Sequence, residues 1–484
     1  MTLYSLLVRH VLYPLDRWRS GDGAELRFLR EFEQSQFLPV DELRALTLER
    51  LRRLVAHAYG HCAYYRRLLD SVGFVPSDLN SPEDLSAIPV LEKRHIQQHR
   101  DEMVADNWPQ DDLIRNQTGG STGSPISFFL SHERECSRAA ATWRHNRWAG
   151  WEIGDKVAAV WGALRDAPHA TWKDRIRNKL LDRILWFNTA HITEEKLKRL
   201  STALNRHRPK HVLAYAKSLA LVARYFKSER LWPPRPQSIV TSAEVLEPAD
   251  RALIEKVFGC PVFNRYGCRE VSVIASECSE HDGMHLMAEG LHVEVVRGGR
   301  PAPPGELGEV LVTDLLNLAM PLVRYRIGDM ASYDPTPCGC GRRLPRLTRL
   351  GGRVTDFLVG SDGRLVSGAF LTVGVVAKRP SLGQVQLWQD APGRVLYKIA
   401  PGEKRSPDEA DFEFLQRETK RYLGSDAKVE YELVDALSAE PSGKFLFCRS
   451  SVACDFVDRP VAEHGPDVST AESSVAPGNG SHPR

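Results

Sequence analysis

Two stretches of the chain carry side chains whose types and spacing could do chemistry. The first, "TGGSTGSP" (118–125), sets Gly119, Gly120 and Gly123 among Thr118, Ser121 and Thr122. Glycines let a backbone approach a ligand closely, and successive N–H groups with nearby hydroxyls form a nest for anionic oxygens. No Lys follows the last glycine, where Ser124 and Pro125 stand instead. A flexible linker or hairpin turn is the alternative reading. The second stretch pairs "CSEHDGMH" (278–285) with "CGCG" (338–341). Cys278, His285, Cys338 and Cys340 would make a closed Cys₃His zinc set, with His281 as the rival fourth ligand. Reduced free thiols are the bland alternative, and the C-x-C spacing is tighter than the usual C-x₂-C.

The elements that must position these groups follow from the rest of the chain. Its 484 residues exceed one ordinary core, so two or more domains are expected. Hydrophobic residues at 42% and charged residues at 26% suit a globular protein. A balance of 65 basic against 62 acidic residues leaves no electrostatic footprint for nucleic acid. No apolar run approaches the roughly 20 residues of a membrane-spanning helix. The opening "MTLYSLLVRHVLYPLDRW" lacks a small-residue cleavage site and reads as an amphipathic helix, packed on the body or touching a membrane surface. Nine cysteines without an export signal suggest a reducing, cytoplasmic setting.

Residues 25–73 carry apolar positions every three or four residues and read as helical. Further on, "DKVAAVWG" (155–162), "HVLAYA" (211–216), "SIVTSAEVL" (238–246) and "PVFNRYG" (261–267) read as buried strands. Helical "KSLALVARYFKSER" and "PADRALIEKVFG" alternate with them, which predicts α/β layering on a largely parallel sheet. After about residue 284 the pattern turns to antiparallel strands joined by Gly and Pro. A last block near residues 351–460 reads as strands, the helix "DEADFEFLQRETKRYLG" and another strand. The tail 461–484 lacks periodicity and is expected to be disordered. The run "WKDRIRNKLLDR" (172–183) reads as a solvated helix face, with contact to a phosphate-bearing acceptor or carrier as the alternative. Cys268 reads as an inert packed thiol.

Six segments then stand in order: "TGGSTGSP", "SAEVL" (242–246), "RYGCRE" (265–270), "RYRIGD" (324–329), "GGRVTD" (351–356) and "PSGKF" (441–445). Together they resemble the adenylate-forming superfamily of acyl-CoA synthetases, and within it the phenylacetate-CoA ligase branch. "VTDLLNLAMPLVRYRIGD" and "DGRLVSGAFL" most resemble the subgroup of capsular-polysaccharide-biosynthesis and coenzyme F390 synthetase-like proteins. The resemblance spans about residues 80–450.

It implies an α/β fold: a large adenylation domain over 1–350 and a small mobile α+β lid over 351–460. The large domain would have a helical region over 1–105 and a zinc-stapled β subdomain near 275–350. It implies ATP, Mg²⁺ and coenzyme A, with a structural Zn²⁺ on the four Cys and His ligands. Thr118, Gly119, Gly120, Ser121, Thr122 and Gly123 would hold the β- and γ-phosphates. Ser242, Ala243 and Glu244 would lie at the adenine edge and Tyr266 would stack on it. Glu270 would hold Mg²⁺ and Asp329 the ribose hydroxyls, while Arg353 reaches ribose or phosphate. Lys444 would swing in with the small domain to neutralise charge during adenylation. Relatives carry two acidic residues after this Arg; here the first position is Thr355, and only Asp356 remains. The acid pocket would lie near Trp161, Tyr215, Ala243 and Tyr266. Rival readings keep adenylation with an amine, a carrier-protein thiol or AMP transfer to a deazaflavin, or make the chain an inactive zinc-containing scaffold. A homodimer is also among the expectations.

Overall fold

The computed structural model describes residues 2–118, 126–161, 171–189, 194–353, 357–363, 365–367, 371, 376, 379–400, 406–435, 437 and 448–453. Strands β1 (Leu113–Gln117) and β2 (Ser127–Ser131) form an antiparallel hairpin with Gln117 opposite Ser127. β3 (Val157–Trp161), β4 (Ile184–Asn188), β5 (His211–Tyr215) and β6 (Ser238–Ser242) are parallel, in the order β4-β3-β5-β6. Helices Glu194–His207, Ala216–Ser228 and Pro248–Phe258 supply crossovers. Their apolar faces bury Leu200, Leu219, Phe226 and Ile254 against Val212 and Ile239 of the strands. Gly259 at φ +67° ends the last of them, its N–H on the Glu255 carbonyl at 2.8 Å.

Strand β7 (Val262–Cys268) changes partners midway. Residues 262–264 pair in parallel with β6, and residues 265–268 pair antiparallel with β8 (Ser272–Glu277). From there β9 (Met284–Leu286), β10 (Leu291–Arg297), β11 (Arg300–Pro301), β12 (Leu307–Asp314), β13 (Tyr325–Asp334) and β14 (Arg346–Arg353) continue antiparallel. The parallel and antiparallel blocks read separately from the sequence are one twelve-stranded sheet, joined through β7. The N-terminal pattern also differs in detail. It divides into helices Ala24–Ser35, Val40–His61 and Ala63–Ser71, because Cys62 adopts an extended φ of −117° where His61 turns to pair with Asp106.

Beyond Arg353, β15 (Phe357–Val359) and β16 (Leu365–Ser367) form a short ladder. β17 (Gln384–Ala391), β18 (Arg394–Ala400), β19 (Lys428–Leu433) and β20 (Cys448–Ser450) form a four-stranded sheet ordered β19-β18-β17-β20. Helix Glu409–Leu423 places Leu415 and Leu423 in a core with Leu387, Val395 and Tyr397. These elements fall within the block read as strands and one helix from the sequence. The expected disordered tail lies outside the described residues.

Helix His132–Trp148 ties the β1–β2 hairpin to the large sheet. Ser131 caps it by accepting the Arg134 N–H at 3.0 Å, and Asn317 Oδ1 accepts the Ser131 N–H at 3.4 Å. Arg134 donates to Asp314 at 2.8 Å and Arg144 to Glu289 at 2.5 Å, and all four side chains are 0% exposed. Charges so fully desolvated are tolerable only as pairs. Asp314→Ala strands the Arg134 guanidinium and should cost about 3–5 kcal/mol. Thermal unfolding should show that loss, and the double replacement Arg134→Met/Asp314→Leu should regain most of it.

Candidate active site

The glycine-rich segment begins after β1 at Thr118. The Thr118 N–H donates to the Ile126 carbonyl and the Ile126 N–H donates to Thr118 Oγ1, both at 3.0 Å. Ile126 and Phe128 are buried in the main core, so the neck of the loop is fixed from behind. Thr118 thus serves as a clasp across that neck. Gly119, Gly120, Ser121, Thr122 and Gly123 lie outside the described residues.

The motifs "RYGCRE" and "RYRIGD" meet across the sheet in a crossed arrangement. Tyr266 Oη donates to Asp329 Oδ2 at 2.8 Å, and Tyr325 Oη donates to Glu270 Oε1 at 3.0 Å. Each motif lends a phenol to the carboxylate of the other. Burial first, then the adjacent carboxylate, pushes both phenols well above their usual range, so they stay protonated donors. Asp329 and Arg353 are register partners in β13 and β14, with Arg353 Nε 3.8 Å from Asp329 Oδ1. Gly267 allows the turn between Tyr266 and Glu270, since a Cβ there would lie 2.3 Å from the Ser272 carbonyl oxygen. Burial, reinforced by Glu270, raises the Cys268 thiol well above normal, in keeping with an inert thiol.

The "SAE" segment lies where β6 ends. Ser242 is the register partner of Tyr215 in β5. Ala243 sits at φ +69°, a left-handed conformation that costs a residue with Cβ about 1–2 kcal/mol. That kink turns Glu244 so that its Oε2 accepts the Lys217 N–H at 2.8 Å, at the start of helix Ala216–Ser228. Glu244 therefore fixes the helix to the segment after β6. Trp161 and Tyr215, at the ends of neighbouring strands, place their rings 4.3 Å apart at 60°. They form an aromatic corner near the cleft-forming strand ends. Thr355, Asp356 and Lys444 lie outside the described residues.

Cys278, His285, Cys338 and Cys340 place one ligand atom each within 4.8 Å of the others. The Cys278 and Cys338 sulfurs are 3.7 Å apart, close to the roughly 3.8 Å edge of a zinc tetrahedron with ~2.3 Å bonds. His285 directs Nδ1 to the Leu344 carbonyl at 3.3 Å and Nε2 to Cys340 Sγ at 3.2 Å. The hydrogen bond of Nδ1 to the Leu344 carbonyl leaves Nε2 free of its proton, the tautomer a metal needs. Burial pushes His285 down to about 4 and keeps it neutral. Burial also pushes the Cys278 thiol up to about 12, a penalty that a cation among the sulfurs would offset. His281 instead faces Glu277 at 3.1 Å, so the structure separates it from this group.

Reading by motif assigned no role to Tyr325, although it lies inside "RYRIGD", and none to Lys217 or Asn317. An aromatic flanked by two arginines had no distinguishing local signal. Its role depends on a carboxylate 55 positions away.

No protein-family model matches the chain. Among curated proteins, the phenylacetate-coenzyme A ligase of Thermus thermophilus is 27% identical over 330 residues, 66% of this chain and 73% of that one. The phenylacetate-coenzyme A ligase of Aromatoleum evansii is 26% identical over 416 residues, 80% of this chain and 90% of the relative. Protein CapK of Staphylococcus aureus is 24% identical, covering 76% of this chain and 81% of its own. Among solved structures, 2-hydroxyisobutyryl-CoA ligase in the postadenylation state superposes with a TM-score of 0.65 at 22% identity, over 84% of this chain and 89% of the other. The motifs, their meeting through β7 and β13, and these likenesses agree: the chain is similar to phenylacetate-coenzyme A ligases and shares the fold of an adenylate-forming CoA ligase.

Proposed function

We propose that the chain is an ATP- and Mg²⁺-dependent carboxylate ligase that forms an acyl-AMP and passes the acyl group to a thiol, with coenzyme A as the acceptor. The crossed contacts of Tyr266 with Asp329 and of Tyr325 with Glu270 carry this reading. They hold two carboxylates from separate motifs in place, with Asp329 also beside Arg353, an arrangement suited to a nucleotide cleft.

In the first half-reaction a substrate carboxylate oxygen bonds to the α-phosphorus of ATP, the bond to the bridging oxygen breaks, and pyrophosphate leaves. In the second, the acceptor sulfur bonds to the acyl carbon, the acyl C–O bond breaks, and AMP leaves with its electrons. Both steps move negative charge onto phosphate oxygens, so preset donors and cations decide the rate. Asp329 accepts from the ribose hydroxyls, and the Tyr266 contact holds it in place. Ser242, Ala243 and Glu244 border the adenine. Thr118 anchors the loop whose Gly119, Gly120, Ser121, Thr122 and Gly123 cradle the leaving pyrophosphate. Arg353 and Lys444 face the phosphates as cations. Glu270 holds Mg²⁺, which offsets phosphate charge when bound. The Trp161–Tyr215 corner supports an apolar or aryl acid. Cys278, His285, Cys338 and Cys340 would hold a structural Zn²⁺, which would link β8 and β9 to the segment before β14 without a part in the reaction.

Carboxylate-dependent exchange of labelled pyrophosphate into ATP tests the first half-reaction, and AMP release that requires coenzyme A tests the second. Exchange with AMP release only on adding an amine or carrier protein would move the acceptor assignment; absence of exchange with every acid would remove the reading. Glu270→Gln and Asp329→Ala should each lower the exchange rate by about 10²–10³-fold. Lys444→Ala should lose adenylation yet still convert supplied acyl-AMP to thioester, whereas equal loss of both steps contradicts a swinging small domain. Metal analysis should find zinc bound to the protein, and Cys340→Ser should release it and lower the melting temperature. Full zinc retention in that variant counts against the assigned ligands.

A further inference from the structure

One region lies away from the cleft and is not used by the adenylation reading. The chain opens as one continuous helix, Leu3–Leu7 and Tyr13–Arg19 joined by a π turn over Val8–Leu12. Its inner side is anchored: Val8 is buried, and buried Tyr13 donates to Glu25 and accepts from Trp143 Nε1. Its outer side carries Leu3, Leu7, Val11, Leu15 and Trp18 at helical spacing, from 44% to 87% exposed. Beside it lies the segment Trp172–Arg177 and Asn178–Asp182, whose Trp172, Ile176 and Leu180 are exposed at four-residue spacing.

Specific contacts join the two segments. Tyr4 Oη donates to the Leu180 carbonyl at 3.0 Å, Arg183 donates to Ser5 Oγ at 3.1 Å, and Arg177 pairs with Asp16 at 2.8 Å. These segments hold nine of the sixteen large exposed apolar side chains among the described residues. Monomeric proteins rarely cluster exposed apolar residues this way unless a partner covers them.

Charge selects the partner. Residues 3–19 and 172–183 contain eight Lys and Arg against three Asp and Glu, an excess of five where the whole chain has an excess of three. The acids are occupied internally: Asp16 and Asp182 by Arg177, and Asp174 by the Thr171 hydroxyl at 2.5 Å. Exposed Arg19, Lys173, Arg175 and Lys179 form no ion pair among the described residues. A second copy seated on this face would bring one excess of positive charge against another. Apolar stripes bordered by unpaired basic residues, with two exposed tryptophans, are instead the chemistry of an interfacial helix on anionic lipid. No helix of the described residues is long and apolar enough to cross a membrane, so the contact lies along the surface.

We propose that these two segments form one docking face by which the protein binds, peripherally, to a bilayer with anionic headgroups. Co-sedimentation of the full chain with phosphatidylcholine vesicles, alone or with about one-third phosphatidylglycerol, tests it. The full chain should pellet with the anionic vesicles at low salt and be released at high salt. Leu7→Asp/Ile176→Asp should weaken binding by about tenfold or more, with the melting temperature and pyrophosphate exchange unchanged. Lys173→Glu/Lys179→Glu should remove the preference for anionic over neutral vesicles. The proposal is overturned if the protein stays in the supernatant at low salt, binds neutral vesicles equally well, or if Leu7→Asp/Ile176→Asp dissolves a dimer rather than releasing lipid. A protein that lacks exchange activity yet binds anionic vesicles refutes the ligase reading alone.

Discussion

The site depends on one change of partner within a strand. β7 leaves the parallel ladder at Asn264 and enters the antiparallel one at Arg265. A chain that only continued the parallel sheet would carry "RYGCRE" away from β13. Because it turns, with Gly267 admitting the close approach of Ser272, Tyr266 reaches Asp329 and Glu270 is reached by Tyr325. The two hydrogen bonds are partly buried and end on carboxylates, so each motif orients the other.

Around that crossing the fold acts mainly as a rigid mount. The pairs Arg134–Asp314 and Arg144–Glu289, both out of water, fix helix His132–Trp148 against the sheet. That helix and Asn317 fix β2, and the Thr118–Ile126 clasp closes the neck of the loop. The Cys₃His group joins β8 and β9 to the turn before β14, the strand that carries Arg353. Donors aimed in advance at developing charge are worth more than donors that must reorganise, so these constraints suit the proposed cleft.

Much of this was legible in the sequence where local rules suffice. Alternating apolar runs and helical patterns located β3, β5 and β7 and the crossover helices, because their periodicities differ. Motif chemistry named Asp329, Glu270 and Tyr266, and the structure links their two motifs by a pair of hydrogen bonds. What local pattern could not supply is pairing at a distance. The break at Cys62 follows from a contact between His61 and Asp106, and no proline or glycine inside the run announces it at that residue. Joining both blocks into one sheet depends on the partners of β7. The sequence favoured His285 with His281 as rival, and the tertiary fold separates the two, sending His285 to the Leu344 carbonyl and His281 to Glu277. The amphipathic opening helix and the helix face over 172–183 were each visible in the sequence, but only the tertiary fold sets them side by side.

A nucleotide is expected to bind where the Tyr266–Asp329 and Tyr325–Glu270 contacts lie. A crystal structure with bound adenosine monophosphate addresses this directly. The ribose hydroxyls should lie within hydrogen-bonding distance of Asp329, with the adenine against the Tyr266 ring and the segment Ser242–Glu244. Nucleotide found on another face, with the Tyr266–Asp329 and Tyr325–Glu270 contacts left untouched, would contradict it.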